Sequence, residues 1–176
     1  MKKIIIILFI ISIILTLNTK QKDYIVLPSN SIRFRIIPNS NSIEDILMKE
    51  KVKTTISNSI KNIEQTSSRS QTRTNILSNK GQIEEDIDKL FKQNNYNKTY
   101  SVNYGINYFP EKIYKGIKYE SGYYESLVIN IGSSSGDNFW CVLFPPLCMM
   151  DTQTNDTSDI EYTSLIKEII NKYKNK

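Results

Sequence analysis

The sequence predicts an α+β fold: a mainly antiparallel sheet of about four strands, with helices packed on one face and an apolar leader helix in front. Three observations carry that expectation. From Tyr100 to Tyr108, aromatic and aliphatic residues alternate strictly with Ser101, Asn103, Gly105 and Asn107, a pattern that falls on one face only in an extended strand. Ile46, Leu47, Val52, Ile56, Ile60 and Ile63 recur at helical spacings with Lys49, Glu50, Lys51 and Lys53 between them, as in an amphipathic helix. Helical and strand-like runs follow in the order β-α-α-β-β-β-α, and such segregation favours α+β over a parallel α/β sheet.

The 176 residues allow one compact domain and a leader, and are too few for two full cores. Lys2 and Lys3 precede an apolar run from Ile4 to Leu17, broken only by Ser12 and Thr16. A positive start and a short apolar segment make a secretory signal, and the run falls short of the roughly 20 residues that span a bilayer. No clear pair of small residues follows Leu17 for signal peptidase. Residues 1–22 therefore read as a signal peptide or an uncleaved signal-anchor, and either places the body outside the cytoplasm. Membrane contact is expected through this N-terminal segment. The body is expected at 30–151 and a helical extension at 152–176.

Within the body, Ile32 to Ile36 alternates apolar and basic residues as a half-buried strand does, and Pro38 ends it. Asn39 to Ser42 supplies turn chemistry, and Ser42 with Asp45 resembles the start of a capping box for one helix from Ile43 to Ile63. Thr66 to Asn79 is polar and reads as a loop or a frayed helical connection. Helical spacing returns from Gln82 to Gln93. After the tyrosine-rich strand, ended by Pro110, a second strand runs from Tyr123 to Ile131, and Gly132 to Asn138 is a turn. Phe139 to Phe144 is apolar throughout, as in a central strand covered on both faces. Ser158 and Glu161 form a capping box for a helix ending at Tyr173.

The chain has no histidine, so it cannot build a Ser-His-Asp triad, a Cys-His dyad or a His-ligated zinc site. Its two cysteines cannot make a four-cysteine site either, and no catalytic, cofactor or metal constellation is read. The formal charge of +5 drops by two without Lys2 and Lys3. The remainder is too diffuse for nucleic acid, which needs clustered Lys and Arg. In an oxidising space Cys141 and Cys148 are a candidate disulfide, since Pro145-Pro146 can turn the chain between them. The alternative is two reduced, buried cysteines acting as small apolar residues.

Three segments resemble one known family: Ile32 to Ser42 (IRFRIIPNSNS), Gly122 to Gly132 (GYYESLVINIG) and Gly136 to Cys148 (GDNFWCVLFPPLC). They are similar to the stage II sporulation protein R family, whose members carry an Asn-Ser-(Asp/Asn)-Ser turn, a Gly-Glu-Tyr-Glu-Ala strand and a Trp-Cys pair ahead of Phe-Pro-Pro-Leu-Cys. Phe139 stands where the family usually has a second Trp, and Tyr123 where it has the first Glu. The resemblance implies a protein made in the forespore and exported into the space between forespore and mother-cell membranes. There it is expected to trigger a membrane-embedded aspartic-type protease of the mother cell, which processes the precursor of an early mother-cell sigma factor.

On that expectation Trp140, Phe144, Pro145, Pro146 and Leu147 form an exposed apolar platform, because aromatics anchor interfaces and prolines limit the entropy lost on docking. The competing reading buries the same block in the core. Arg33 and Arg35, on one strand face, are candidate contacts for an acidic partner or membrane surface, and the competing reading is a solvated or helix-capped face. Glu120 and Glu125 read as surface charge, Asp137 and Asn138 as turn residues, and the tyrosines of the first long strand as a packing ladder. The expected role is a binding effector without catalysis. The rivals are a secreted hydrolase using Cys141 or a carboxylate pair, and a passive envelope-binding module.

Overall fold

The computed structural model describes residues 24–114, 117–148 and 159–173. The leader (residues 1–22) and Ser158 of the expected capping box lie outside them. At the centre runs β2 (Ile32–Ile37), flanked by β6 (Gly122–Ile131) in parallel and β7 (Phe139–Phe144) in antiparallel register. The long strand β3 (Tyr100–Phe109) pairs antiparallel with β6, giving the order β3-β6-β2-β7. The sheet is therefore mixed. After β6 the chain crosses over the C-terminal end of β2 and returns along its other side as β7, so β6 must run parallel to β2 and β7 antiparallel.

Alternation along the strands divides the core in two. Phe34, Ile36, Leu127, Ile129, Cys141 and Leu143 face one side. Helices α1 (Ile43–Thr55), α2 (Ser57–Glu64) and α3 (Arg69–Gln93) cover that side with Val52, Ile60, Ile83 and Ile87. Val128, Trp140 and Val142 face the other side. A second mixed sheet, ordered β1-β5-β4, supplies Ile25, Ile117 and Tyr119 there; it comprises β1 (Ile25–Val26), β4 (Lys112–Tyr114) and β5 (Ile117–Tyr119). Helix α4 (Asp159–Tyr173) adds Ile166 to the same cluster, so helical cover is not confined to one face.

Three expectations change in detail. The helix expected from Ile43 to Ile63 is two helices, broken at the fully buried Ile56. Its inward stripe is also rotated: Met48 and Val52 are buried, whereas Ile46 and Leu47 are exposed. The segment from Thr66 to Asn79 is mostly helix, because Ser68 caps α3 by accepting the Gln71 N–H at 3.2 Å. Only Thr72 and Ile76 of its first turns face the core, which leaves the sequence periodicity too sparse to read.

Cys141 and Cys148 form a disulfide with their Cα atoms 5.4 Å apart. The Leu147 N–H donates to the Val142 carbonyl at 3.1 Å, and the Cys148 N–H donates to Glu64 Oε1 at 2.6 Å. The bridge therefore closes a turn that also docks on α2. Replacing both cysteines by alanine is expected to lower unfolding stability by about 2.5 kcal/mol, the chain-entropy value for so short a loop. A urea midpoint equal to that of the oxidised protein would refute this.

Candidate interaction surface

The expected platform is not exposed. Trp140 is 4%, Phe144 1% and Leu147 4% accessible, Pro145 is buried and Pro146 half-buried. The cause is cover on both faces of β7. Trp140 meets Phe109 and Tyr119 edge-on at centroid distances of 5.2 and 5.4 Å, and Phe144 meets Tyr173 of α4 at 5.5 Å. These residues fill the core, and the reading that gave them an outward face is corrected.

Arg33 and Arg35 are not solvated either. Arg33 is fully buried, with its guanidinium carbon 3.3 Å from the centre of the Tyr124 ring. Its Nη1 donates to the Glu120 carbonyl at 3.0 Å, while Nε and Nη2 have no partner. Arg35 is half-buried, lies over Phe109 at 4.6 Å and donates to the Tyr108 carbonyl at 3.4 Å. Among the described residues no carboxylate forms an ion pair with either. Burial lowers the pKa of both, offset for Arg33 by Tyr124, Tyr119 and Glu120; even so, a guanidinium keeps its charge in a protein. Aromatic faces take the place of a counter-ion, each such contact contributing about 0.5–2 kcal/mol.

A polar clamp that the sequence did not disclose joins the turn at Asn39–Ser42 to the turn at Gly132–Asn138. Asp45, 4% accessible, accepts hydrogen bonds from Ser40 Oγ at 2.6 Å, Asn39 Nδ2 at 2.9 Å and the Tyr96 hydroxyl. Burial pushes its pKa up, but hydrogen bonds from Ser40, Tyr96, Asn39 and Ser42 outweigh that and hold the carboxyl far below its usual value. Asn39 also accepts the Ser133 N–H at 2.9 Å, and Asn41 accepts the Asp137 N–H at 2.6 Å. Lys49 closes the group by donating to the Asp137 carbonyl at 3.0 Å. Gly132 (φ +54°) and Gly136 are needed here, since a Cβ would strike Asn39 at the first and the Ser40 carbonyl at the second. The signal in the sequence is a pair of ionisable residues, Asp45 and Lys49, in phase with the buried Met48 and Val52.

Glu125, read from sequence as surface charge, is a hub on the helical side of β6. Arg73 donates through Nε and Nη2 at 2.8 Å each, Arg69 through Nη2 at 2.7 Å, and the Tyr104 hydroxyl also donates to it. Hydrogen bonding from Arg73 lowers the Glu125 pKa to about 2, against the opposing effect of burial. Beyond the hub the described residues leave the sheet uncovered. Ile106 lies opposite Glu125 in register and is 68% exposed; Tyr108 and Tyr123, opposite each other, are 52% and 75% exposed with ring centroids 5.5 Å apart. Of the tyrosine ladder, Tyr100 and Tyr104 pack under α3, and Tyr108 does not. Among the described residues no cluster of Cys, Asp and Glu is placed to hold a metal ion, and no helix is long and apolar enough to cross a membrane. What this outer end of the sheet offers chemically is contact: an aromatic and aliphatic patch beside two arginines.

A family model described as stage II sporulation protein R matches residues 28–154. The stage II sporulation protein R of Bacillus subtilis (strain 168) is 31% identical over 137 residues, covering 77% of this chain and 61% of that protein. The chain thus spans less than two thirds of the relative's length. No solved structure matches it significantly.

Glu125→Gln is expected to lower unfolding stability at pH 7 by about 2 kcal/mol, the loss for hydrogen bonds to a charged group. The folded protein holds the Glu125 proton less tightly than the unfolded chain, whose ordinary value is 4.5. The gap between wild type and variant should therefore be complete above about pH 4.5 and close as the pH falls towards 2. Urea titrations across that range check it, and a gap independent of pH would show that no ionised Glu125 is involved.

Proposed function

The chain belongs to the stage II sporulation protein R family, and from that premise we propose that it is an exported signal which activates a membrane-bound protease by contact. It serves sporulation. On the proposed reading it leaves the forespore and enters the space between forespore and mother-cell membranes, cleaved from its leader or anchored by it. There it engages a membrane-embedded aspartic-type protease of the mother cell, which then processes the precursor of an early mother-cell sigma factor. The family match over residues 28–154 is the observation that carries this.

Two features of the chain support it. Lys2 and Lys3 followed by Ile4 to Leu17 have the layout of an export signal, and the Cys141–Cys148 bridge suits an oxidising compartment. A chain that acts without catalysis changes its target only by binding the active arrangement more tightly than the inactive one. Against the hydrolase rival, Cys141 is buried in a disulfide and Glu125 is neutralised by two arginines, so neither is a ready nucleophile or base.

Reconstitution tests the reading directly. Membrane vesicles carrying the protease and the sigma factor precursor are incubated with the purified protein. Cleavage is expected to rise at least about tenfold on addition, the scale of a modest coupling energy, and to saturate with protein concentration. No cleavage above background, or hydrolysis of peptide or cell-wall substrates by the protein alone, would overturn the proposal.

A further inference from the structure

We propose that the free edge of β3 is where the partner protein docks, adding an extended segment of its own chain as a fifth strand with an acidic residue against Arg69 and Arg73. This rests on the contact-activation reading above and names the surface that performs it. β3 is ten residues long and terminates the sheet, with β6 as its only neighbour among the described residues. Every second main-chain N–H and C=O along such an edge points away from the sheet.

Exposed edges are normally blunted by charges, prolines, bulges or brevity, because an unprotected one templates further pairing. β3 has none of these. Its sequence, Tyr100 to Phe109, contains no charged residue and no proline, and its register with β6 runs unbroken from Tyr100 opposite Ile131 to Phe109 opposite Gly122. The opposite edge, β7, is buried along its whole length. So, among the described residues, the one long edge left open also carries no device against pairing.

The side chains beside that edge indicate what pairs with it. Ile106, Tyr108 and Tyr123 are exposed on one face and accept alternate apolar side chains of an incoming strand. Next to them Arg69 and Arg73 are matched by a single carboxylate, Glu125, and the buried Nε of Arg69 has no partner. That excess of one positive charge favours an acidic residue on the incoming segment. It disfavours a second copy of this chain, whose own Arg69 and Arg73 would face the same charges across a two-fold axis.

The test uses the full chain and vesicles carrying the sporulation protease, with bound protein measured by co-sedimentation and amide exchange read along β3. Wild type should bind, with exchange slowed at residues 101–108. The double variant Ile106→Lys/Tyr108→Lys should bind at least about tenfold more weakly, and Leu47→Lys, on the exposed face of α1, should bind as wild type does. If wild type binds with β3 exchange unchanged, or the folded double variant binds normally, the edge is not the docking site and contact activation stands. If wild type does not bind at all, contact activation fails and this proposal with it. Protection of β3 in the protein alone, together with a dimer in sedimentation, would assign the edge to a second copy instead. Should the double variant not fold, the exchange pattern of wild type decides.

Discussion

Asp45 is a charged group that α1 carries into the interior, and the surrounding architecture depends on its being satisfied there. A buried carboxylate without partners is costly enough to take up a proton instead. Here Ser40, Asn39 and Tyr96 supply donors from the turn after β2 and from the loop after α3. The same turn, through Asn39 and Asn41, holds the segment that carries the chain from β6 over the end of β2 to β7. Main-chain hydrogen bonds from Ser135 to Asn39 and from Gly136 to Pro38 hold the same crossing, which makes one neighbour of β2 parallel and the other antiparallel. The satisfied charge thus links the phase of α1 to the turn on which the crossing rests.

The two faces of the sheet are stabilised by different means. On the helical side the filling is aliphatic and conventional, with Ile76, Ile83 and Ile87 fully buried. On the other side two arginines replace aliphatic residues and are enclosed by Phe109, Tyr119, Tyr124 and Trp140. The short strands β1, β4 and β5 could not hold a sheet alone. They are held by aromatic rings that also need the guanidinium groups as neighbours. This explains why the Trp-Cys-containing strand is core: Trp140 forms one wall of the arginine enclosure, and Cys141, on the opposite face, is bonded to Cys148.

The long strands were legible in the sequence because their alternation has only one structural meaning, as from Tyr100 to Tyr108. The disulfide pair was legible as a candidate because only two cysteines exist and a turn lies between them. The helix phase was not: Asp45 and Lys49 occupy inward positions that periodicity assigns to apolar residues, and periodicity places Ile46 and Leu47 in the core instead. The small sheet leaves no mark in the sequence because strands of two and three residues carry no period. Glu125 looked like surface charge because its partners Arg73 and Arg69 are 52 and 56 residues away in sequence. The open edge had no signal at all, since a strand's pattern shows which face it buries and never which side lacks a neighbour.

Apolar sequence and docking surface need not coincide, and on the proposed reading the fold sets them apart. Among the described residues, the apolar block Phe139 to Phe144 is buried along its whole length, because burying it is worth more than displaying it. What the described residues leave outside is a strand with moderate side chains and an edge that no other strand pairs. Such an edge would suit the proposed role, in which the protein acts by differential affinity. Main-chain pairing demands a partner segment that is extended and aligned, so a partner arrangement in which the segment is folded away gains nothing from it. Shifting an equilibrium from mostly inactive to mostly active takes about 5.5 kcal/mol of preference. Several hydrogen bonds, buried tyrosine faces and one charge pair, all made with one partner conformation only, are of a size to supply it.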